Sequence, residues 1–227
     1  MKIGRLLALV VPVLVLTAPA GAQDSADLGL SYAKVQQAGM EQLKQYTWQS
    51  ATRVTREGEI KAEFTVTNRL NEKGEMVQEV EEGEVNARKK RGMRGRSQDK
   101  QLAEAAAFLD KVAAAMGAYI FMSKGQEVDF FDKAVIAAGA GADAGMQVVQ
   151  AKGVLAAEDV VTKWVDPSTL YPSKIAFETV VDGAAIQGEV LFRPIEDGPN
   201  VPRMATITIP GDGRVIETEF LDFKKAL

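Results

Sequence analysis

Apolar and polar residues alternate in three segments towards the N-terminal end of the chain, with the period of two that is typical of half-covered strands. The clearest segment is EIKAEFTVTNRL, residues 59–70, where apolar residues occupy every second position at first. Residues 46–54, YTWQSATRV, show the same period, and the Glu57-Gly58 pair between the two segments is a turn signal. A third segment, residues 76–85, follows another turn. The pattern predicts three antiparallel strands.

Three other segments have apolar residues every three or four positions, which is the spacing of an amphipathic helix. The predicted helices cover residues 27–43, 97 to about 120, and 127–139. Ser97 is a good N-cap residue and marks the predicted start of the second helix. The Gly/Ala-rich stretch AGAGADAG, residues 138–145, closes the helical part and is predicted to be a flexible joint.

The period of two returns after the Gly/Ala-rich stretch and continues to the C-terminus. Turn signals such as Asp182-Gly183 separate six predicted strands. These strands cover residues 146–154, 159–165, 170–181, 184–195, 203–209 and 214–224. Because consecutive strands usually pair, the order of elements predicts an α+β fold with an antiparallel sheet of about nine strands. The helical insertion, at about residues 97–139, is expected to cover the apolar face of that sheet.

The first 22 residues have the features of a secretory signal peptide. Lys2 and Arg5 precede an apolar run of about 11 residues, and small residues follow it. That run is shorter than the roughly 20 residues that span a bilayer. We therefore expect export, removal of residues 1–22, and a single soluble domain over residues 23–227.

Composition narrows the chemistry that the chain can perform. It has no histidine and no cysteine, which removes the commonest general base, the thiol nucleophile and the usual zinc ligands. Its net charge of −4 disfavours nucleic-acid binding, which depends on neutralising phosphates. We expect no metal, no cofactor and no enzymatic activity. A two-carboxylate hydrolase stays open on residue types, although the densest acids, Glu79, Glu81, Glu82 and Glu84, are typical of a solvated strand end.

Several strand motifs in the C-terminal half resemble the LolA-like superfamily. They lie in TKWVDPSTLYPSKIAFETVVDG, AAIQGEVLFRPI and GRVIETEFLDFKKA, which are residues 162–183, 184–195 and 213–226. The shared features are a Trp-Val-Asp-Pro turn at residues 164–167, a Pro-x-x-Ile strand at 172–175 and a Glu-Phe-x-Asp strand at 219–222. The segment YTWQSATRVTREGEIKAEFTV is similar to the opening strand pair of that family.

The resemblance implies a half-open antiparallel β-barrel with helices covering its concave face. Between the helices and the sheet it implies an apolar cavity that accepts acyl chains. The superfamily contains periplasmic lipoprotein carriers, their receptors and RseB-like regulators. We therefore expect an exported periplasmic carrier that shelters a lipid, or the acyl chain of a lipoprotein, in an apolar cleft beneath a helical lid.

Large apolar side chains on the predicted strand faces and helices are candidates for the lining of this cleft. For each of them, the alternative is an ordinary place in the core. The candidate ligand-contacting residues are Trp48, Phe64, Leu109, Met116, Ile120, Phe121, Phe130, Phe131, Trp164, Phe177 and Phe192.

A basic segment, ARKKRGMRGRSQDK at residues 87–100, stands out in this acidic chain. Its candidate docking residues are Arg88, Lys89, Lys90, Arg91, Arg94 and Arg96. One interpretation is a solvated connection between strand and helix. The other is a surface that docks onto an anionic partner, either a membrane surface or a membrane protein, since each cation near an anionic membrane contributes about 1 kcal/mol. The alternative function is therefore a non-enzymatic interaction or sensing module, similar to RseB-like regulators.

Overall fold

The computed structural model describes residues 22–72, 74, 76–85 and 93–225, and side chains for residues 27–72, 74, 76–79 and 103–225. The helices are α1 (Ala22–Leu43), α2 (Met93–Ile120) and α3 (Lys124–Lys133). The strands are β1 (Tyr46–Arg56), β2 (Glu59–Leu70), β3 (Met76–Val85), β4 (Val135–Ala138), β5 (Gln147–Lys152), β6 (Val160–Val165), β7 (Pro172–Val181), β8 (Ala184–Pro194), β9 (Asn200–Ile209) and β10 (Arg214–Lys225). A short 3₁₀ turn, Gly141–Asp143, lies between β4 and β5.

All strands of the described chain form one ten-stranded antiparallel sheet in the order β3-β2-β1-β10-β9-β8-β7-β6-β5-β4. Neighbours in the sheet are neighbours in sequence, except that β1 pairs with β10. The sheet is open, with β3 and β4 at its two edges. Since α2 and α3 connect those edges, the chain must cross one face of the sheet between them. The α+β class and the open antiparallel sheet beneath helices are confirmed.

Two of the predicted turns have the backbone geometry that their sequences require. Glu57 and Gly58 have φ angles of 53° and 80°, and Asp182 and Gly183 have φ angles of 49° and 80°. Successive positive φ angles are typical of the type I′ turn, whose twist matches that of the flanking strands. These turns join β1 to β2 and β7 to β8, as predicted.

The region after α3 differs from the prediction. Helix α3 ends at Lys133, and Val135–Ala138 form β4, so the helix predicted over residues 127–139 is wrong beyond Lys133. The Gly139 N–H donates to the Met146 carbonyl at 2.8 Å, which closes the β4–β5 hairpin. The Gly/Ala-rich stretch therefore connects the two strands of a hairpin, and its predicted flexibility stays a prediction. The β-branched pair at the start of β4 favours a strand over a helix.

Helix α2 is longer than predicted. It begins at Met93, so Ser97 lies inside the helix and is not its N-cap. Among the described residues, no single helix combines the length and apolar character needed to cross a membrane. The pair 103–120 and 124–133, bent by 75°, meets those criteria only when its two helices are taken together.

The helices cover one face of the sheet, and the core lies between them. Buried side chains alternate with partly exposed ones along the strands, for example Val161, Lys163 and Val165 in β6. One cluster of buried apolar residues joins the covered face of the sheet to all three helices. Phe130 and Phe131 of α3 are completely buried in this cluster. The covered face is thus a packed core that contains a buried cation, Lys163.

Candidate functional site beneath the helices

Helices α1 and α3 pack against each other over the β5–β9 side of the sheet, and we call them the helical cover. A Cβ atom placed on Gly29 would lie 2.6 Å from Cβ of Phe131, so only a glycine allows α1 to approach α3 this closely. The Tyr32 and Phe131 rings lie 5.0 Å apart in the same contact. The cover therefore behaves as one packed unit, which also meets the β6–β7 connection through a 3.4 Å hydrogen bond from Gln36 to the Leu170 carbonyl.

An ion pair joins the helical cover to the sheet. Nζ of Lys163, on β6, lies 2.5 Å from Oε2 of Glu127, on α3, and the two side chains are 0% and 4% exposed. Lys163 also lies 4.6 Å from the ring centroid of Phe130 and 5.0 Å from that of Tyr32. A fully buried ammonium is stable only with an anion and good electrostatic contacts around it. Glu127 supplies the anion, and the faces of the Phe130 and Tyr32 rings supply the electrostatic contacts.

The environment shifts the acid–base behaviour of the groups around this pair. Burial lowers the pKa of Lys163, and the nearby Glu127 carboxylate opposes that shift. Burial also raises the pKa of Tyr32 well above its usual value, and Glu127 adds to that effect. The charge on Lys163 thus depends on its anionic partner, whereas Tyr32 stays neutral.

The first turn of α3 fixes the position of Glu127. Ser123 caps the helix: its Oγ accepts from the Gln126 N–H at 3.4 Å, and Oε1 of Gln126 accepts from the Ser123 N–H at 2.8 Å. This capping box satisfies two backbone donors that the helix start would leave free. The Glu127 N–H donates to the Ser123 carbonyl at 2.9 Å, so the carboxylate-bearing residue belongs to the first hydrogen-bonded turn.

A small cavity of about 30 Å³ adjoins the ion pair. It lies between α1, the end of α2, the start of α3 and the ends of β7 to β9, and Glu127 and Met122 are part of its wall. Most of the other lining side chains are apolar, including Met40, Ile120 and Phe192. Sites for small organic ligands have volumes of roughly 300 Å³ or more. The cavity is therefore too small for such a ligand, and the predicted cleft stays a prediction.

A second polar group anchors α2 to the sheet. The Tyr119 hydroxyl donates to Oδ2 of Asp159 at 2.8 Å, and the backbone N–H groups of Val154, Leu155 and Ala156 donate to the same carboxylate at 2.7–3.0 Å. Asp159 is 1% exposed, and these donors satisfy it. The Tyr119 ring stacks on the Phe177 ring at 4.4 Å. The end of α2 is thus fixed. The cover is held by the Lys163–Glu127 pair to β6, and by hydrogen bonds from Gln36 to Leu170 and from Lys133 to Gly153 in strand connections.

The structure divides the predicted cleft residues into two groups. Ile120, Phe121 and Phe192 line the cavity and are half-buried. The remaining ones on the covered side lie in or against the core, away from the wall of this cavity: Trp48, Phe64, Leu109, Met116, Phe130, Phe131 and Phe177. Trp48 also lines a separate pocket of about 190 Å³ between β1, β2 and β10. Contact of any of them with a ligand stays a prediction.

The placement of Trp164 on the covered face is wrong. In β6 the buried positions are Val161, Lys163 and Val165, so Trp164 lies on the opposite face. Its indole N–H donates to Oδ2 of Asp143 at 3.0 Å, and Nζ of Lys174 lies 3.8 Å from its ring centroid. Val161 and Val165 point towards the core, and Lys163 lies on the same face of β6 between them. Its charge is tolerated there because it pairs with Glu127.

The sequence analysis missed the ion pair between Lys163 and Glu127 because it chose the wrong face of β6 as the covered one. In VVTKWV, residues 160–165, one face consists of Val160, Thr162 and Trp164 and the other includes Lys163. The bulk of the tryptophan favoured the first face as the covered one. Recognising the second face would have required knowing that Glu127, 36 residues earlier, points back at it.

The side chains of the basic segment lie outside the part of the chain that the structure describes. Arg88, Lys89, Lys90 and Arg91 lie outside the described residues, and so do the side chains of Arg94 and Arg96 at the start of α2. Docking through these residues stays a prediction from the sequence. The side chains of three of the four dense acids on β3 are likewise outside the described part, and the remaining one, Glu79, is exposed.

Solved structures with a similar course of the chain include three bacterial proteins. A DUF1329 family protein from Desulfovibrio piger matches with a TM-score of 0.46 and 11% identity, over 91% of this chain and 94% of its own. An outer membrane lipoprotein-sorting protein domain from Vibrio parahaemolyticus matches with a TM-score of 0.45 and 12% identity, over 88% and 93%. A LolA superfamily protein from Nitrosomonas europaea matches with a TM-score of 0.37 and 11% identity, over 92% and 94%.

At these identities and scores, the similarities assign neither a ligand nor an activity to the chain. No protein-family model matches it, and no curated protein matches it.

Proposed function

We propose that this protein is an exported periplasmic carrier that shelters an apolar chain, from a lipid or from the acyl group of a lipoprotein, between its sheet and its helical cover. The proposal rests chiefly on one observation. A mainly apolar cavity lies where the cover meets the sheet, and Glu127, one partner of the buried ion pair with Lys163, forms part of its wall.

The packing of the cover supports this function. Helices α1 and α3 pack closely on each other at Gly29, Tyr32 and Phe131, which would let them leave the sheet as one unit. Movement of the two helices away from the sheet would expose apolar surface on the helices and on the sheet. The free-energy cost of that exposure is roughly 25 cal/mol per Å². An acyl chain that entered the gap would cover both surfaces again. The closed cavity of about 30 Å³ is then the resting state, and the open state forms with the ligand.

Lipid analysis of the protein purified without detergent tests this proposal. We expect organic extraction followed by mass spectrometry to recover a lipid in an amount comparable to that of the protein. Phe192→Glu places a charge in the apolar cavity wall and should reduce the recovered lipid by at least about tenfold. Val180→Glu is the matched control, because Val180 is 53% exposed on a neighbouring strand.

The proposal is wrong if the purified protein is consistently empty and also rejects fluorescent fatty-acid and fatty-ester probes. Equal lipid content in the Phe192→Glu and Val180→Glu variants would also contradict it. Both variants must retain the far-ultraviolet circular dichroism of the parent protein, so that loss of lipid is not loss of fold.

A further inference from the structure

We propose that Lys163 is the binding group for the carboxylate of a long-chain fatty acid, and that Glu127 occupies its place when the cover is closed. This inference rests on the proposed carrier function and names the class of its ligand. Glu127 would then be a carboxylate of the protein itself that competes with the carboxylate of the ligand.

The surroundings of Lys163 fit a receptor better than a structural group. The side chain is 0% exposed, lies between the buried valines 161 and 165, and faces the Phe130 and Tyr32 rings. Replacing a buried ion pair by apolar residues of similar size is often neutral or stabilising. Stability of the core alone therefore does not explain the pair, which is consistent with a binding role for Lys163.

The two partners belong to parts of the fold that differ in how they are attached. Lys163 is on β6, which is hydrogen-bonded to β5 and β7 in the interior of the sheet. Glu127 is on α3, a helix of ten residues that packs against α1 and lies on the sheet without being one of its strands. If the cover moves, Glu127 leaves and Lys163 remains on the sheet. An unpaired ammonium in an apolar surface then requires a new anion.

The cavity provides a path to this position. Glu127 lies in its wall together with Met122, whose Sδ is 3.6 Å from Nζ of Lys163. The remaining wall is mostly apolar. An amphiphile with one chain that followed this path would bring its head to Lys163 and leave its chain against the apolar wall.

The chemistry of the site favours a carboxylate over a phosphate. Lys163 is a single cation with one ionic partner at 2.5 Å, and that partner is itself a carboxylate. Phosphate groups are commonly held by several donors or by the two-pronged guanidinium of arginine. None of the described residues that line the cavity is an arginine. The lowering of the Lys163 pKa by burial agrees with a cation that needs one carboxylate to stay charged.

Competition between cis-parinaric acid and its methyl ester tests the inference, since the two probes have the same chain and differ in the charge of the head. We expect the parent protein to bind the acid at least about tenfold more tightly than the ester, the strength of one charge-assisted hydrogen bond. Lys163→Met should remove that preference. Glu127→Gln should tighten binding of the acid by about tenfold or more, because the competing carboxylate is gone.

Lys174→Met is the matched control, because Lys174 lies on the adjacent strand and contacts Trp164 on the uncovered face. It should bind both probes as the parent does. If a single variant fails to fold, the double variant Lys163→Met/Glu127→Leu removes both charges and should bind acid and ester equally.

Some results would overturn the inference and leave the carrier function intact. These are equal binding of acid and ester by the parent protein, a preference for the acid that survives Lys163→Met, or tighter binding of dodecyl phosphate than of dodecanoate. Failure of the parent protein to bind either parinaric probe would overturn both the inference and the carrier function.

Discussion

The buried charges of Lys163 and Glu127 impose a penalty that an ordinary core avoids. Transfer of each charge out of water costs several kcal/mol after relaxation, and attraction between the partners offsets only part of this. Their side chains are 0% and 4% exposed, so solvent screens neither charge. Stability alone does not account for the pair.

A double-mutant cycle measures this penalty. Glu127→Gln leaves the Lys163 ammonium without an anion and should lower the free energy of unfolding by about 3–5 kcal/mol. The double variant Lys163→Met/Glu127→Leu should recover most of that loss, as judged by urea unfolding at neutral pH. Lys111→Met is the control: its pair with Asp182 is exposed, so the change should be below about 1 kcal/mol. A double variant as unstable as Glu127→Gln would contradict this account.

Tyr119 gives a pH-dependent prediction. Burial raises its pKa from 10.0 to about 12, and the hydrogen bond to Asp159 adds to the shift. The folded protein therefore keeps this proton at a pH where the unfolded chain has lost it. The protonated Tyr119 hydroxyl therefore contributes fully to the free energy of unfolding below pH 10, and this contribution disappears as the pH rises from 10 towards 12.

The Tyr119→Phe variant isolates this contribution. It should be less stable than the parent near neutral pH by about 1 kcal/mol, the typical value of one hydrogen bond. Its unfolding free energy should fall less steeply above pH 10, since the ionising hydroxyl is absent. Urea unfolding at several alkaline pH values compares the two proteins. Parallel curves for parent and variant would show that Tyr119 titrates normally.

At this scale, the sequence predicted which residues are apolar and buried but not the orientation of β6. Both faces of VVTKWV contain valine, so alternation alone does not choose between Lys163 and Trp164 as the inward residue. The choice depends on contacts from elsewhere in the chain. Glu127 pairs with the lysine, while Asp143 and Lys174 satisfy the tryptophan on the other face.

Among the elements, α1 offers a matched pair of glycines. A Cβ on Gly29 would meet Cβ of Phe131 at 2.6 Å, whereas a Cβ on Gly39 would lie 3.8 Å from Cβ of Pro199, which is an ordinary contact. Both substitutions to alanine improve helix propensity by about 1 kcal/mol. Only Gly29→Ala forces α1 away from α3.

We therefore expect opposite effects on stability. Gly29→Ala should lower the unfolding free energy by about 1–3 kcal/mol, the usual range for overpacking. Gly39→Ala should leave it unchanged or raise it by up to about 1 kcal/mol. Thermal and urea unfolding of both variants provide the comparison. If Gly29→Ala is as stable as Gly39→Ala, the contact between α1 and α3 is looser than described.

The elements with strong local signals were predictable, and those that depend on partners were not. The Glu57-Gly58 and Asp182-Gly183 turns carry their own backbone preference. The sequence at the end of α3 carries no such local signal, because Val135 and Ile136 continue the apolar spacing of the helix. They become β4 because β5 offers them a pairing edge.

For the whole molecule, the antiparallel sheet and its helical insertion followed from the order of the predicted elements. The pairing of β1 with β10 did not, because those strands are separated by most of the chain. It places both edges of the sheet at the ends of the helical insertion. The size of the space between the cover and the sheet could not be predicted from the sequence either. The same apolar residues can line a cleft or fill a core, depending on the position of α1 and α3.

Opening of the cover is the central claim, and a distance measurement across it is the most direct test. The chain has no cysteine, so Asp129→Cys on α3 and Glu178→Cys on β7 give a clean pair of exposed spin-label sites. A second pair within the sheet, at Glu178 and Glu219, is the control. Double electron–electron resonance reports both distances, with and without an excess of oleic acid or of its neutral glycerol ester.

We predict that at least one of these lipids shifts the distance from α3 to the sheet to longer values, while the distance within the sheet stays constant. Identical distributions with and without both lipids, at concentrations that saturate binding, would mean that the cover does not open and would contradict the carrier account.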